Sequence, residues 1–230
     1  MKNLLLAIAL LSTTTIFAQE DDFFSTGPIP PKPKNYAFFI GPRIGGDITT
    51  MTQPNECNLY DAAGIGFSGG VAMKLRLGAM SEDSDGGTGV FGIGLDLKYK
   101  QNNVKTIADD NLSLGYFEAP IMAQFYPFYK NTKMNSFYLE IGVDIAALLS
   151  KNPDLMTVQP NNERYDLVTY HISDLKGGDI RIPVGIGYTF PKGFDINMRY
   201  YLGTSDLAKN MACKMSSFEL SVGWLFKVGK

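Results

Sequence analysis

The sequence predicts an all-β fold: an eight-stranded antiparallel up-and-down transmembrane β-barrel with an N-terminal signal peptide. Three observations predict it. Apolar residues alternate with other residues at period two in eight successive segments, the mark of strands with unlike faces. The face opposite the apolar one mixes glycine with charge, which suits the inside of a narrow barrel and weakens a water-facing sheet for no return. Charged residues make up 19% of the chain and aromatics 12%, against about 25% charge in ordinary soluble domains.

The elements follow in chain order. Lys2 is a short basic start, Leu4 to Leu11 are apolar, and Ser12 to Thr15 are small and polar. Ala18-Gln19 then precedes Glu20, Asp21 and Asp22. Residues 1–19 therefore read as a secretory signal peptide, too short and too soon polar for a membrane helix. Of the 21 basic residues its removal takes only Lys2, leaving 20 against 23 acidic ones. That balance excludes nucleic acid as an expected partner. Residues 20–35 are acidic and then proline-rich (Gly27-Pro28-Ile29-Pro30-Pro31-Lys32-Pro33), and read as an extended periplasmic linker.

The barrel is expected over residues 36–230. Its strands are read near Tyr36–Asp47, Gly64–Leu77, Val90–Gln101, Gly115–Phe128, Ser136–Leu149, Asp179–Phe190, Phe194–Gly203 and Ser217–Lys227. In the second, Ile65, Phe67, Val71, Met73, Leu75 and Leu77 oppose Gly66, Ser68, Gly70, Ala72, Lys74 and Arg76. In the seventh, Phe194, Ile196, Met198, Tyr200 and Leu202 oppose Asp195, Asn197, Arg199 and Tyr201. Large apolar residues outside and glycine with charge inside is the arrangement of a barrel in lipid. Such a barrel must close, because an open edge in hydrocarbon leaves backbone groups unsatisfied. With the N-terminus periplasmic, Pro191-Lys192-Gly193 is a short periplasmic turn and Ser150 to Gly178 a long outer loop. Tyr36, Phe38, Tyr126, Phe128, Phe137, Tyr188, Phe190, Phe194, Trp224 and Phe226 then share one rim as an interfacial belt.

Several segments carry a family likeness. They are Tyr116-Phe117-Glu118-Ala119-Pro120-Ile121, the block Pro183-Val184-Gly185-Ile186-Gly187-Tyr188 with Gly193-Phe194-Asp195 and Arg199-Tyr200, and the C-terminal Val222-Gly223-Trp224-Leu225-Phe226. From Tyr36 onward the chain resembles the Bacteroidetes outer-membrane β-barrel family that includes PorT-type proteins. That resemblance implies an outer-membrane location and an association with type IX secretion for the PorT-type members.

The inward charges are the candidate functional residues: Arg43, Lys74, Arg76, Asp96, Lys98, Glu118, Glu140, Asp144, Asp179, Arg181, Asp195, Arg199 and Glu219. In a narrow, poorly hydrated lumen they must pair, since an unpaired buried charge costs several kcal/mol. They are expected to form a salt-bridged plug; an ion path or a catalytic cluster is the alternative. Neither a Ser/His/Asp set nor metal-ligand spacing is present around them, so no catalytic residue, cofactor or metal is expected. His171 lies alone in a polar stretch and reads as a loop residue. Gly64-Ile65-Gly66-Phe67-Ser68-Gly69 matches the dinucleotide fingerprint, but the strand runs through it where a helix should begin. Glu82-Asp83-Ser84-Asp85-Gly86-Gly87 lacks the spacing and closing Glu of a calcium loop.

Cys57 falls in the first outer loop and Cys213 in the last. The first and eighth strands are neighbours in a closed barrel, so a Cys57–Cys213 disulfide across the seam is predicted. The functional expectation is a non-enzymatic outer-membrane barrel, structural or partner-binding. It would contact lipid around its wall and envelope proteins through its outer loops or its tail. A small channel or transport protein is the alternative. An outer-membrane enzyme lacks its nucleophile and base here, and a soluble lipocalin-like binder would need the apolar face inside.

Overall fold

In the computed structural model of the chain, the described residues are 36–52, 57–58, 60–77, 89–106, 111–129, 136–152, 155–160, 168–171, 175–207 and 213–228. The expected signal peptide and linker lie outside them. The strands are β1 Tyr36–Thr52, β2 Cys57–Asn58, β3 Tyr60–Leu77, β4 Phe91–Thr106, β5 Asn111–Phe125 and β6 Phe137–Asn152. They continue with β7 Leu155–Pro160, β8 Val168–His171, β9 Gly178–Thr189, β10 Phe194–Gly203, β11 Lys214–Trp224 and β12 Phe226–Val228. No helix among the described residues is long and apolar enough to cross a membrane.

The barrel closes. In hydrogen-bonding order its walls are β1, β3, β4, β5, β6, β9, β10 and β11, and β11 returns to β1 with Arg43 opposite Gly223 and Ile48 opposite Phe218. The short β12 continues β11 along β1, so the two together make the eighth wall. Every pairing is antiparallel. The apolar series points outward, with Ile65 78% exposed and Ile141 56%, and the charged series points in. Exposure of this many large apolar side chains is stable only against lipid.

The two ends differ. At the turn end, Pro191-Lys192-Gly193 links β9 to β10. Outward aromatics form a chain around this rim: Tyr188–Phe190 at 4.8 Å, Phe190–Phe194 at 5.6 Å and Phe194–Trp224 at 6.2 Å between ring centroids. Tyr126 was expected among them but turns inward and is buried. It continues the even-numbered inward series of β5, and its ring packs 5.7 Å from that of Tyr138 inside the mouth.

At the loop end the strands run further than the sequence suggests. β3 begins at Tyr60, not Gly64; β4 reaches Thr106, not Gln101; β5 begins at Asn111, not Gly115. β1 has 17 residues and β3 has 18, where about 9–11 would cross a bilayer. The reason is visible in β5. Asn111, Ser113 and Gly115 alternate with Leu112, Leu114 and Tyr116, and here the apolar residues are the buried ones. Polar-out and apolar-in is the pattern of a barrel standing in water. From Phe117 onward the pattern inverts, because lipid now lies outside. Phe67, Tyr99 and Phe117 mark that boundary, with Phe67 and Tyr99 5.9 Å apart and Tyr99 paired across strands with Phe117. Tyr200 and Phe218 are cross-strand partners among the outward residues of β10 and β11. These residues form a second aromatic girdle.

Strands β2, β7 and β8 form a separate three-stranded sheet in what read as loops. Cys57 pairs there with Pro160, and His171 pairs with Leu155. Among the described residues no disulfide forms. The Cys57 side chain lies outside those described, and Cys213 is buried in the apolar cluster at the loop end.

The seam between β1 and the last wall is irregular, and the irregularity accounts for a proline in a barrel strand. β12 pairs with Phe38–Ile40 and β11 with Arg43 onward. Pro42 falls in the gap, where no ladder hydrogen is needed. A Cβ on Gly41 would lie 1.8 Å from the Trp224 carbonyl oxygen, so the close approach there requires glycine. The Leu225 N–H, left over at the break, donates to the Gly193 carbonyl at 2.7 Å. Gly193 has φ of 91°, which ties the β9–β10 turn to the seam through a left-handed residue.

Candidate functional site

The lumen is where the chain concentrates its chemistry. Strand alternation brings the inward residues of all eight walls to one axis. Arg43, Lys74, Asp96, Lys98, Glu118, Glu140, Asp144, Arg181, Asp195, Arg199 and Glu219 are all buried among the barrel walls. Arg76 is buried beside them nearer the turn end, and Asp179 is half-buried towards the loop end.

These charges sort into two layers. In the layer nearer the turn end, Arg43 donates to Asp96 at 2.8 Å and also binds Asp195. Lys74 reaches the other Asp195 oxygen at 2.6 Å, with Thr189 donating to it at 2.6 Å. Arg199 binds Asp96 and donates Nε–H to Glu140 at 2.5 Å. Gln124 and Asn197 donate to Glu140 at 3.0 and 2.7 Å. In the layer nearer the loop end, Lys98 binds Glu219 at 2.6 Å and Lys100 binds it at 3.3 Å. Arg181 holds Glu118, Asp144 at 2.8 Å and Asp179 at 3.6 Å.

The connectivity shows what the network does to the bore. In the ring of eight walls, β4 and β10 lie four places apart in either direction, so they face each other across the axis. Asp96 stands on β4 and Arg199 on β10, and they are in direct contact. Lys98 on β4 reaches Glu219 on β11, and Lys74 on β3 reaches Asp195 on β10. The side chains of opposite walls meet across the bore. Tyr138 and Tyr201 lie among these charges: Lys74 is 3.8 Å from the Tyr138 ring centroid and Lys100 4.1 Å from that of Tyr201. Above the charges, Met51, Val104, Leu112, Leu114, Tyr116, Leu207 and Met215 close the loop end with apolar contact.

Sequence reasoning on charge left out two members, Asp47 and Lys100. Both continue inward series already begun by Arg43 and by Asp96 and Lys98, so parity alone locates them. Asp47 accepts from Thr49 at 2.8 Å. The balance differs along the axis. In the loop-end layer Asp47, Glu118, Asp144, Asp179 and Glu219 outnumber Lys98, Lys100 and Arg181. In the turn-end layer Arg43, Lys74, Arg76 and Arg199 outnumber Asp96, Glu140 and Asp195. Both oxygens of Asp144, with Oε2 of Glu118, accept no hydrogen bond from a described residue. The acidic excess is therefore at the loop end.

No cluster of three or more His, Cys, Asp or Glu with metal-holding geometry occurs among the described residues. The Gly64–Gly69 segment lies within β3, which runs through it with a register shift between Ala63 and Phe67.

The sequence matches the outer membrane protein beta-barrel domain over residues 17–209. The chain belongs to that family. This outer-membrane barrel matches no curated protein. Among solved structures it is similar to Ail, the attachment invasion locus protein of Yersinia pestis, in complex with the heparin analogue sucrose octasulfate. That match has 11% identity and a TM-score of 0.43, over 82% of this chain and 99% of that one. It is similar to OprG of Pseudomonas aeruginosa at 12% identity and a TM-score of 0.43, over 84% and 97%. Neisserial surface protein A matches at 12% and 0.42, over 83% and 96%.

Proposed function

We propose that this outer-membrane barrel is a non-conducting, non-enzymatic anchor whose function lies at its ends. The contact of Asp96 with Arg199 across the bore carries the reading. A path for solutes would require that pair and the Lys98–Glu219 pair to part, and parting leaves uncompensated buried charge. In this reading residues 1–19 direct export, residues 20–35 lie in the periplasm, and the turn end faces the same side. The loop end then stands outside the cell, where the barrel walls and the sheet of β2, β7 and β8 rise beyond the lipid. Binding to a protein of the cell envelope, through that end or through the tail, fits a barrel with a filled lumen. The likeness to PorT-type proteins suggests type IX secretion as one setting.

Two measurements test this. In planar bilayers the purified barrel is expected to give no steady unitary current; a stable single-channel conductance overturns the plugged reading. For orientation, cysteines are introduced singly at Lys105 and Lys192 in a Cys57→Ser, Cys213→Ser background. A membrane-impermeant maleimide applied to intact cells is expected to label position 105 and spare position 192, and the reverse pattern inverts the topology.

A further inference from the structure

The turn end of the lumen opens into a cavity of about 510 Å³. Lys74, Arg76, Lys192 and Lys227 stand on its wall, and no Asp or Glu is among the described residues that line it. Two of these cations are engaged deeper in the mouth. Lys74 binds Asp195, and Arg76 lies 4.0 Å over the Tyr126 ring with Nε–H donating to the Gly89 carbonyl at 3.0 Å. Lys192 and Lys227 are exposed at the rim. They come from separate elements, the β9–β10 turn and β12, and the Leu225 N–H bond to Gly193 fastens those elements to each other. Phe190 and Phe226 also line the cavity, and both are outward residues of the girdle. The cavity thus runs from buried cations in the lumen to aromatic rings at headgroup depth.

Cations on one side and aromatic surface on the other match an anion that carries an organic body. Several ammonium groups around one volume favour a compact, multiply charged oxyanion, and a guanidinium adds planar donors suited to phosphate. The acidic excess of the loop-end layer repels an anion from deeper entry and holds it at the mouth.

We propose that this vestibule binds a phosphate ester. Its phosphate sits among Lys192, Lys227 and Arg76, and its organic part lies against Phe190 and Phe226. Two sources supply that chemistry: a phospholipid head group of the adjoining leaflet, or a soluble phosphate ester. The proposal does not depend on the lumen being closed or on which side of the membrane the turn end faces.

The test uses the full chain folded in octyl glucoside, which contains no phosphorus. Trp224, the single tryptophan, reports from the girdle beside the cavity, and calorimetry gives an independent reading. The probes are glycerol 3-phosphate, dihexanoyl phosphatidylglycerol and, as the neutral control, glycerol. Saturable binding of a phosphate probe but not of glycerol is expected, weakened by salt. Lys192→Gln/Lys227→Gln is expected to weaken it by about a hundredfold, roughly tenfold per lost cation, while heat-modifiable mobility shows the barrel intact. Binding of the lipid alone assigns the lipid source, and equal binding of both phosphates assigns the soluble one. Two outcomes overturn the proposal: no saturable binding, or affinity unchanged in the double variant.

Discussion

Arg199→Met lowers the stability of the folded barrel by about 3–5 kcal/mol. Arg199 is 1% exposed and bridges Asp96 on one wall to Glu140 on another. Methionine fills much of the same volume but supplies no charge. Asp96 keeps Arg43 as a partner. Glu140 keeps the neutral donors Gln124 and Asn197 but loses its cation. The loss arises from stranding a buried carboxylate, not from the worth of the pair itself. Adding Glu140→Gln to Arg199→Met should therefore recover a large part of it. Urea unfolding in vesicles, followed by loss of heat-modifiable mobility, measures both. Equal instability in the single and double variants would show that packing, not charge, is what Arg199 supplies.

Gly41→Ala costs about 3 kcal/mol, the upper end for overpacking, and acts at closure. The new methyl group would meet the Trp224 carbonyl oxygen at 1.8 Å, its carbon at 2.7 Å and the Leu225 Cα at 3.1 Å. All three are backbone atoms and cannot rotate away. Relief requires the seam to open where β12 gives way to β11, and in lipid an open seam exposes unpaired backbone groups. The expected result is a lower folded yield in vesicles and a lower urea midpoint for what folds. Gly46→Ala in the same strand is the control, because the nearest atom to a Cβ there is 3.9 Å away. If the two variants fold alike, the seam does not have the tight geometry described.

The strands of the lipid-spanning band were legible because period-two alternation reports directly on two unlike environments. Ile65, Phe67 and Val71 read as outward from the sequence and are outward in the barrel. The same rule misplaced the strand starts at the loop end. Above the membrane the outer environment becomes water, so Leu112 and Leu114 turn inward while Asn111 and Ser113 face out. A reading tuned to apolar-out strands sees that stretch as loop. Tyr126 differs for a related reason: an aromatic at the right depth looks like a belt residue, but its even-numbered place directly after β5 continues that strand's inward series and puts it inside the mouth.

The sequence by itself determined which residues share a face, how many walls the barrel needs, and that its interior would hold charge of both signs. Those properties are local, set by a two-residue repeat and by what lipid tolerates. Which charge meets which was decided only by tertiary structure. Asp96 and Arg199 are 103 positions apart, and they touch because closure and register set β4 opposite β10. The same closure tied Gly193 to Leu225 and so brought Lys192 and Lys227 to one cavity, a juxtaposition that no local repeat encodes.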